Sequence, residues 1–291
     1  MSAVQDPRDI NEPLQVLFPL HDAFDTLDFV GPMEMFSHAL HDQKNKETKA
    51  FNITVAAAKP AVKSAQGLTV KADIDLEDAV EDIGKWDIIV VPGGGTEGLL
   101  KANAEPMNLI KEYVKLQESD PSKERTLFSV CTGSLLLAQA GVLQGLAATT
   151  HPDYYLKLEL ACQDAARKGN LERTDVMEER YVVNNARFDL GEKWEENPFI
   201  LDSRPDPVRR KSSARKGSES YKLSKRRESL VKRATMKLGG MRVITSGGVT
   251  AGMDAALYLV AALVSIESAN EVARVTQFQW QKGVTCEGID V

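Results

Sequence analysis

Cysteine is scarce in this chain: three in 291 residues, at positions 131, 162 and 286. Odd in number and far apart, they offer no disulfide framework and no C-x-x-C ligand set, so a structural metal site is not expected and a reducing compartment is. Long apolar runs are lacking too, and none is long enough to span a bilayer. The first residues, M-S-A-V-Q-D-P-R-D, have neither the basic nor the apolar region of a signal peptide. The expectation is an intracellular protein without membrane attachment, cytoplasmic, with nuclear entry left open by a basic segment described below. Phosphate-loop signatures are also missing. No G-K-[ST] follows the glycine cluster at 93–95, which argues against Walker-type phosphate binding, and the letters G-x-G-x-x-G at 93–98 are by themselves a weak dinucleotide signal.

Charge is present but unevenly spread. The formal net charge is −6, yet Ser203 to Lys237 holds thirteen Lys and Arg against three Asp and Glu, so the rest of the chain is strongly acidic. The stretch 192–237 has few apolar residues, and its R-R-K-S-S and K-R-R-E-S clusters resemble basophilic-kinase sites or a bipartite import signal. It reads as a disordered insertion that could meet a kinase or an import receptor. Specific nucleic-acid binding is not expected, because no aromatic stacking pattern accompanies the charge. Residues 1–13 carry three acids and two prolines without periodicity and read as a flexible lead-in. Between them, 14–285 reads as one α/β domain.

Within that domain, strand and helix patterns alternate. Leu14, Val16, Leu17 and Phe18 form a short apolar run, followed by L-D-F-V-G-P and a helix-like pattern through Met33, Met35, Phe36 and Leu40, with Gly31-Pro32 as a first turn. Asp28 falls at or just before that turn, where an acid can serve a helix N-terminus or a reaction. Phe51 to Ala57 alternates as a strand, and Trp86 to Val91 reads as a fully buried one. The latter stops at Pro92-Gly93-Gly94-Gly95, where backbone N–H groups could hold an anion or oxyanion. Pro106 to Gln117 reads as an amphipathic helix, and Leu146 to His151 as a strand ahead of a helix over 152–167. His151 is open to two readings, substrate contact or hydrogen-bonded structural residue. A strand over Met241 to Thr245 enters S-G-G-V-T-A-G-M-D and the apolar helix 255–264, and a further helical pattern passes through Val272 and Phe278. Repeated strand-then-helix units argue a doubly wound, mostly parallel sheet.

The stretch T-L-F-S-V-C-T-G-S-L-L-L-A-Q-A-G, 126–141, is the centre of this pattern. A buried strand ends at Val130 and a helix follows, so Cys131 sits at the turn, at the carboxyl end of the sheet where open α/β folds bind ligands. Helix N–H groups aimed at the sulfur would favour a thiolate. The alternative is a buried structural thiol. Cys162, on the apolar face of its helix, reads as core.

Five motifs in this order, D-F-V-G-P, V-P-G-G-G, S-V-C-T-G-S, A-T-T-H and S-G-G-V-T-A-G-M-D, resemble the ThiJ/PfpI superfamily of glutamine amidotransferase-like proteins. Within it they are most similar to the isocyanide (isonitrile) hydratase branch. The resemblance implies a flavodoxin-like sandwich, a homodimer, no cofactor, no metal, and a nucleophile at Cys131 with Asp28 as its acidic partner. Thr132 follows the nucleophile where the protease-like branch has His, and Asp28 stands where the glyoxalase and deglycase-like branch has Glu. What it implies is hydration of an isocyanide to an N-substituted formamide. Thr132 would orient substrate or water, and Gly94, Gly95, His151 and Gly247 would bind substrate or developing charge. A glyoxalase or deglycase-like activity on reactive carbonyls is the alternative enzyme, and a non-catalytic redox sensor the alternative class.

Overall fold

The computed structural model describes residues 12–102, 105–169, 172–185, 199–201 and 236–286. Its strands are β1 (Leu14–Leu20), β2 (Phe51–Ala57), β3 (Ala61–Lys63), β4 (Thr69–Lys71), β5 (Ile74–Asp75), β6 (Ile88–Val91), β7 (Thr126–Val130), β8 (Ala147–Ala148), β9 (Asp175–Val176), β10 (Tyr181–Asn184), β11 (Phe199–Leu201), β12 (Arg242–Ser246) and β13 (Val284–Cys286). The helices are α1 (Thr26–His38), α2 (Leu76–Glu81), α3 (Thr96–Ala102), α4 (Met107–Ser119), α5 (Gly133–Gln139), α6 (Tyr155–Gly169), α7 (Ala251–Leu263) and α8 (Ile266–Val275). A nine-stranded sheet runs β11-β13-β10-β12-β7-β6-β1-β2-β5. Every pairing in it is parallel except β10 with β12.

Strand alternation divides the core into two layers. Val16, Phe18, Val90, Phe128, Val130 and Ile244 face one side, against α1, α7 and α8. Their neighbours Leu17, Ile89, Val91, Leu127 and Val243 face the other, against α4, α5 and α6. A strand covered on both faces is mostly apolar, which is why β6 reads as a continuous run and β7 as one interrupted only by the small, buried Ser129. The mostly parallel, helix-covered sheet agrees with the sequence reading.

Several local expectations are corrected. Helix α1 starts at Thr26, so Gly31 and Pro32 lie inside it rather than at its first turn. The Asp25 carboxylate accepts from the N–H groups of Leu27 and Asp28, and this cap fixes the earlier start. Only Ala147 and Ala148 of the expected 146–151 strand are extended, and they pair with β9 outside the main sheet. Helix α8 ends at Val275, before Phe278. Cys286, unassigned from sequence, is buried in β13. The lead-in falls outside the described residues apart from 12 and 13, as does most of the basic insertion, within whose expected span β11 nevertheless adds a parallel strand to β13. No helix among the described residues is long and apolar enough to cross a membrane.

Candidate active site

Cys131 occupies the turn between β7 and α5 with φ of 57°, a left-handed conformation that a residue with a side chain adopts only when its surroundings enforce it. The enforcement is visible. Its N–H faces the carbonyls of Ser246 (3.0 Å) and Gly247 (3.3 Å), and its carbonyl accepts from the hydroxyls of Ser134 and Thr150, both at 3.0 Å. Gly133 is required by close approach: a Cβ there would stand 2.3 Å from the Val91 carbonyl oxygen, so only glycine lets α5 begin this close to β6. The result is a nucleophile elbow with the sulfur at the carboxyl edge of the sheet and the residue 7% exposed.

Asp28, in the first turn of α1, is brought to this sulfur by helix packing. α1 lies on α7 through small residues: a Cβ at Gly31 would meet Met253 Cγ at 2.9 Å, and one at Gly252 would meet Val130 Cγ1 at 2.8 Å and Pro32 Cγ at 3.2 Å. The G-P of the first motif and the A-G-M-D of the last are therefore two halves of one contact. Asp28 is wholly buried; its Oδ2 accepts from the Gly93 N–H at 3.1 Å, and the carboxyl shares a hydrogen bond with the Cys131 thiol. Oδ1 receives no N–H or O–H from the described residues.

Burial, reinforced by the negative charge of Asp25, pushes the Asp28 carboxyl up to about 8. Burial and the Asp28 charge push the Cys131 thiol up to about 12, with the Thr132 N–H pulling the other way. The expected lowering by the helix N-terminus is thus present but outweighed, and the thiolate is not the resting form. The two groups titrate together, because the Asp28 contribution to the thiol exists only while Asp28 is ionised. At neutral pH the pair holds both protons; its first loss, near 8, leaves one proton shared between carboxyl and sulfur.

The other expected site residues fall around this pair. The Thr132 hydroxyl is buried, accepting from the Gly94 N–H at 3.0 Å and facing its carbonyl at 3.2 Å, so it ties the elbow to the glycine loop. The N–H groups of Gly93, Gly94 and Gly95 are all engaged within the protein, with Asp28, Thr132 and Ala23. The N–H groups of Gly94 and Gly95 are thus engaged within the protein rather than free to face an oxyanion. The Thr132 N–H is the backbone donor that reaches the sulfur. Gly247 supports the elbow through its carbonyl, and its own N–H donates to Arg180.

His151 stands beside the sulfur. A Cβ placed on Gly248 would lie 2.6 Å from His151 Cδ2 and 2.9 Å from Cys131 Sγ, so ring and sulfur flank the same point of backbone. Its Nδ1 accepts from the Asp153 N–H at 3.2 Å, which leaves the proton of the neutral ring on Nε2, bonded to that same Cδ2. With the side chain 30% exposed, His151 forms the solvent rim of the site. Sequence reading missed Gly248, Ser134, Thr150 and Asp25. It also missed Asp254, fully buried, which pairs with Arg180 Nε at 2.6 Å and accepts from the Gln281 N–H at 2.6 Å, fixing the start of α7 against the β10 edge.

The DJ-1/PfpI family model matches residues 14–187. The chain belongs to the DJ-1/PfpI family. It is 32% identical over 142 residues to isonitrile hydratase of Pseudomonas putida, covering 49% of this chain and 54% of that protein. The chain thus spans about half the length of that relative. It is 25% identical over 140 residues to deglycase PYRAB04690 of Pyrococcus abyssi, covering 48% of this chain and 73% of the other. A ThiJ/PfpI family protein from Pseudomonas syringae superposes with a TM-score of 0.55 at 19% identity, over 96% of this chain and 82% of that one. Drosophila melanogaster DJ-1beta gives 0.55 at 18% identity, over 92% and 100%. These likenesses carry the fold. Among the described residues no cluster of His, Cys, Asp and Glu is arranged to hold a metal ion.

Proposed function

We propose that this DJ-1/PfpI protein is a cysteine-dependent isocyanide hydratase, forming N-substituted formamides without a cofactor. The observation that carries the reading is the Asp28 carboxyl, buried against the Cys131 thiol and protonated at neutral pH. Adding a thiol across an isocyanide requires a nucleophile and a proton delivered to the same carbon, and this pair supplies both.

The reactive form is the pair with one proton, held on Asp28 while the sulfur is thiolate. The sulfur attacks the terminal isocyanide carbon and that carbon takes the Asp28 proton, giving a thioimidate and a carboxylate. Water then adds to the thioimidate carbon; Asp28 takes one proton from the water and passes it to nitrogen. When the carbon–sulfur bond breaks, the hydroxyl proton returns to Asp28, thiolate is restored and the formamide leaves. Water enters at the solvent rim, where the His151 Nε2–H orients it, and the Thr132 N–H steadies charge at sulfur.

The similarity to isonitrile hydratase supports this reading, as does an acid kept protonated until it is used. The test is side-by-side consumption of an alkyl isocyanide and of methylglyoxal by the purified chain. Formamide production at enzymatic rates supports the proposal; methylglyoxal consumption without formamide would transfer the site to the reactive-carbonyl reading.

A further inference from the structure

Asp25 is joined to Asp28 and to the glycine loop by hydrogen bonds rather than by the reaction. As the cap of α1, its Oδ1 accepts from Leu27 N–H at 3.0 Å and from Asp28 N–H at 3.3 Å, which places its carboxylate beside the first helical turn. Its own N–H donates to the Gly93 carbonyl, and the next loop residue, Gly94, lies so close that a Cβ there would be 2.4 Å from Asp25 N. Its rotamer is set from outside the helix. Gln66, at the tip of the β3–β4 hairpin, donates from Nε2 to Asp25 Oδ2 at 2.6 Å, and Gln66 Oε1 accepts from the Thr26 N–H at 2.9 Å. The Ala65 N–H adds a bond to the Phe24 carbonyl. A cap needs one acceptor oxygen, which serine or asparagine supplies as well. This one is a full negative charge, clamped by a hairpin, one helical turn from a buried acid.

The groups acting on Asp28 are few. Asp25 comes from its own helix, Cys131 from the β7–α5 turn and the Gly93 N–H from the β6 loop. From α7 the neighbours of the first turns are Met253 and Gly252, both neutral. His21, at the end of β1, faces Pro92 and is kept neutral by burial. Asp25 also acts on the Cys131 thiol in the same direction as on Asp28.

We propose that Asp25 is a positioning residue whose clamped carboxylate, hydrogen-bonded at the first turn of α1, adds to the burial of the Asp28–Cys131 pair and raises the pH at which the reactive one-proton form appears. The proposal deepens the hydratase reading in naming the reactive form, but the charge effect exists whatever the substrate. Hairpin, cap and acid thereby form one unit: the β3–β4 tip fixes the charge, and the charge adds to the burial that keeps the pair protonated.

The test is the rate of Cys131 alkylation by iodoacetamide, read site by site by mass spectrometry across the neutral to alkaline range, on wild type, Asp25→Asn, Asp25→Ser and Gln66→Ala. Both Asp25 variants keep an oxygen to cap α1 and lose the charge; Gln66→Ala keeps the charge and loses its clamp. A unit charge one helical turn away in a partly screened site predicts that the alkylation midpoint falls by about half to one pH unit in both Asp25 variants. Alkylation at neutral pH then rises several-fold, while Gln66→Ala shifts the midpoint by much less. An unmoved midpoint in Asp25→Asn and Asp25→Ser, with the fold intact by circular dichroism, would leave Asp25 a cap and nothing more. Because iodoacetamide replaces the substrate, absence of isocyanide turnover would count against the hydratase reading without touching this result.

Discussion

Replacing Asp28 by asparagine should stabilise the protein at neutral pH while removing its chemistry. In the unfolded chain the carboxyl ionises near its ordinary value of 3.8; in the fold, burial and the Asp25 charge hold it up to about 8. Between those values the native state binds the proton that the unfolded state has released, so stability falls as pH rises, by about 1.36 kcal/mol per pH unit. From the unfolded value to pH 7 is roughly three units, an upper bound of about 4 kcal/mol; residual burial in the unfolded chain reduces it to about 2–4 kcal/mol. Asparagine escapes this penalty. Its oxygen can accept from the Gly93 N–H as Asp28 Oδ2 does, and its amide can donate to the sulfur as the protonated carboxyl does. Urea unfolding of wild type and Asp28→Asn at pH 5 and pH 7.5 measures the effect. The variant should be more stable at both, with the gap widening by about 2–3 kcal/mol between them. A gap that does not widen, or a variant less stable at pH 7.5, would refute the buried, protonated acid.

The remaining expectations concern access, packing and titration. Gly248→Ala places a methyl group between His151 and the Cys131 sulfur, so alkylation and turnover should each fall at least about tenfold, with a stability loss of about 1–3 kcal/mol measured by thermal unfolding. Gly31→Ala and Gly252→Ala should differ: the first meets the flexible Met253 side chain, which can give way, whereas the second meets the rigid Val130 and Pro32 and should lose about 1–3 kcal/mol and displace α1. In the hydratase reaction, kcat/KM should climb as pH passes about 8, where the pair gives up its first proton, and a pH-independent rate across that range would contradict the one-proton form.

The sheet was legible because its central strands are covered on both faces: I-I-V-V and the L-F and V of T-L-F-S-V put apolar residues on both sides, unlike a half-exposed surface strand. Cys131 was legible for the same reason, as the first residue past a buried run and before a helix. The start of α1 was not. Pro32 suggests a first turn, and only the Asp25 cap, whose partner Gln66 lies forty-one positions away, shows where the helix begins. The acidity of the pair was misjudged in one respect, because a helix N-terminus can be read from sequence while the burial that overrides it depends on contacts among α1, β6 and β7. The glycine loop shows the same limit: G-G-G signals close backbone approach, but not that Gly94 and Gly95 spend their N–H groups on Thr132 and Ala23. Asp254 and Arg180 pair across seventy-four positions, which no local pattern encodes.

The measurement that bears most directly on the central claim is formamide production from one alkyl isocyanide by wild type, Cys131→Ala and Asp28→Asn, each confirmed to be folded. The account predicts turnover by the wild type, none by Cys131→Ala, and a loss of at least about a hundredfold in the more stable Asp28→Asn. Wild-type turnover that survives in Asp28→Asn would contradict proton delivery by Asp28, and a folded wild type without formamide production would contradict the hydratase assignment itself.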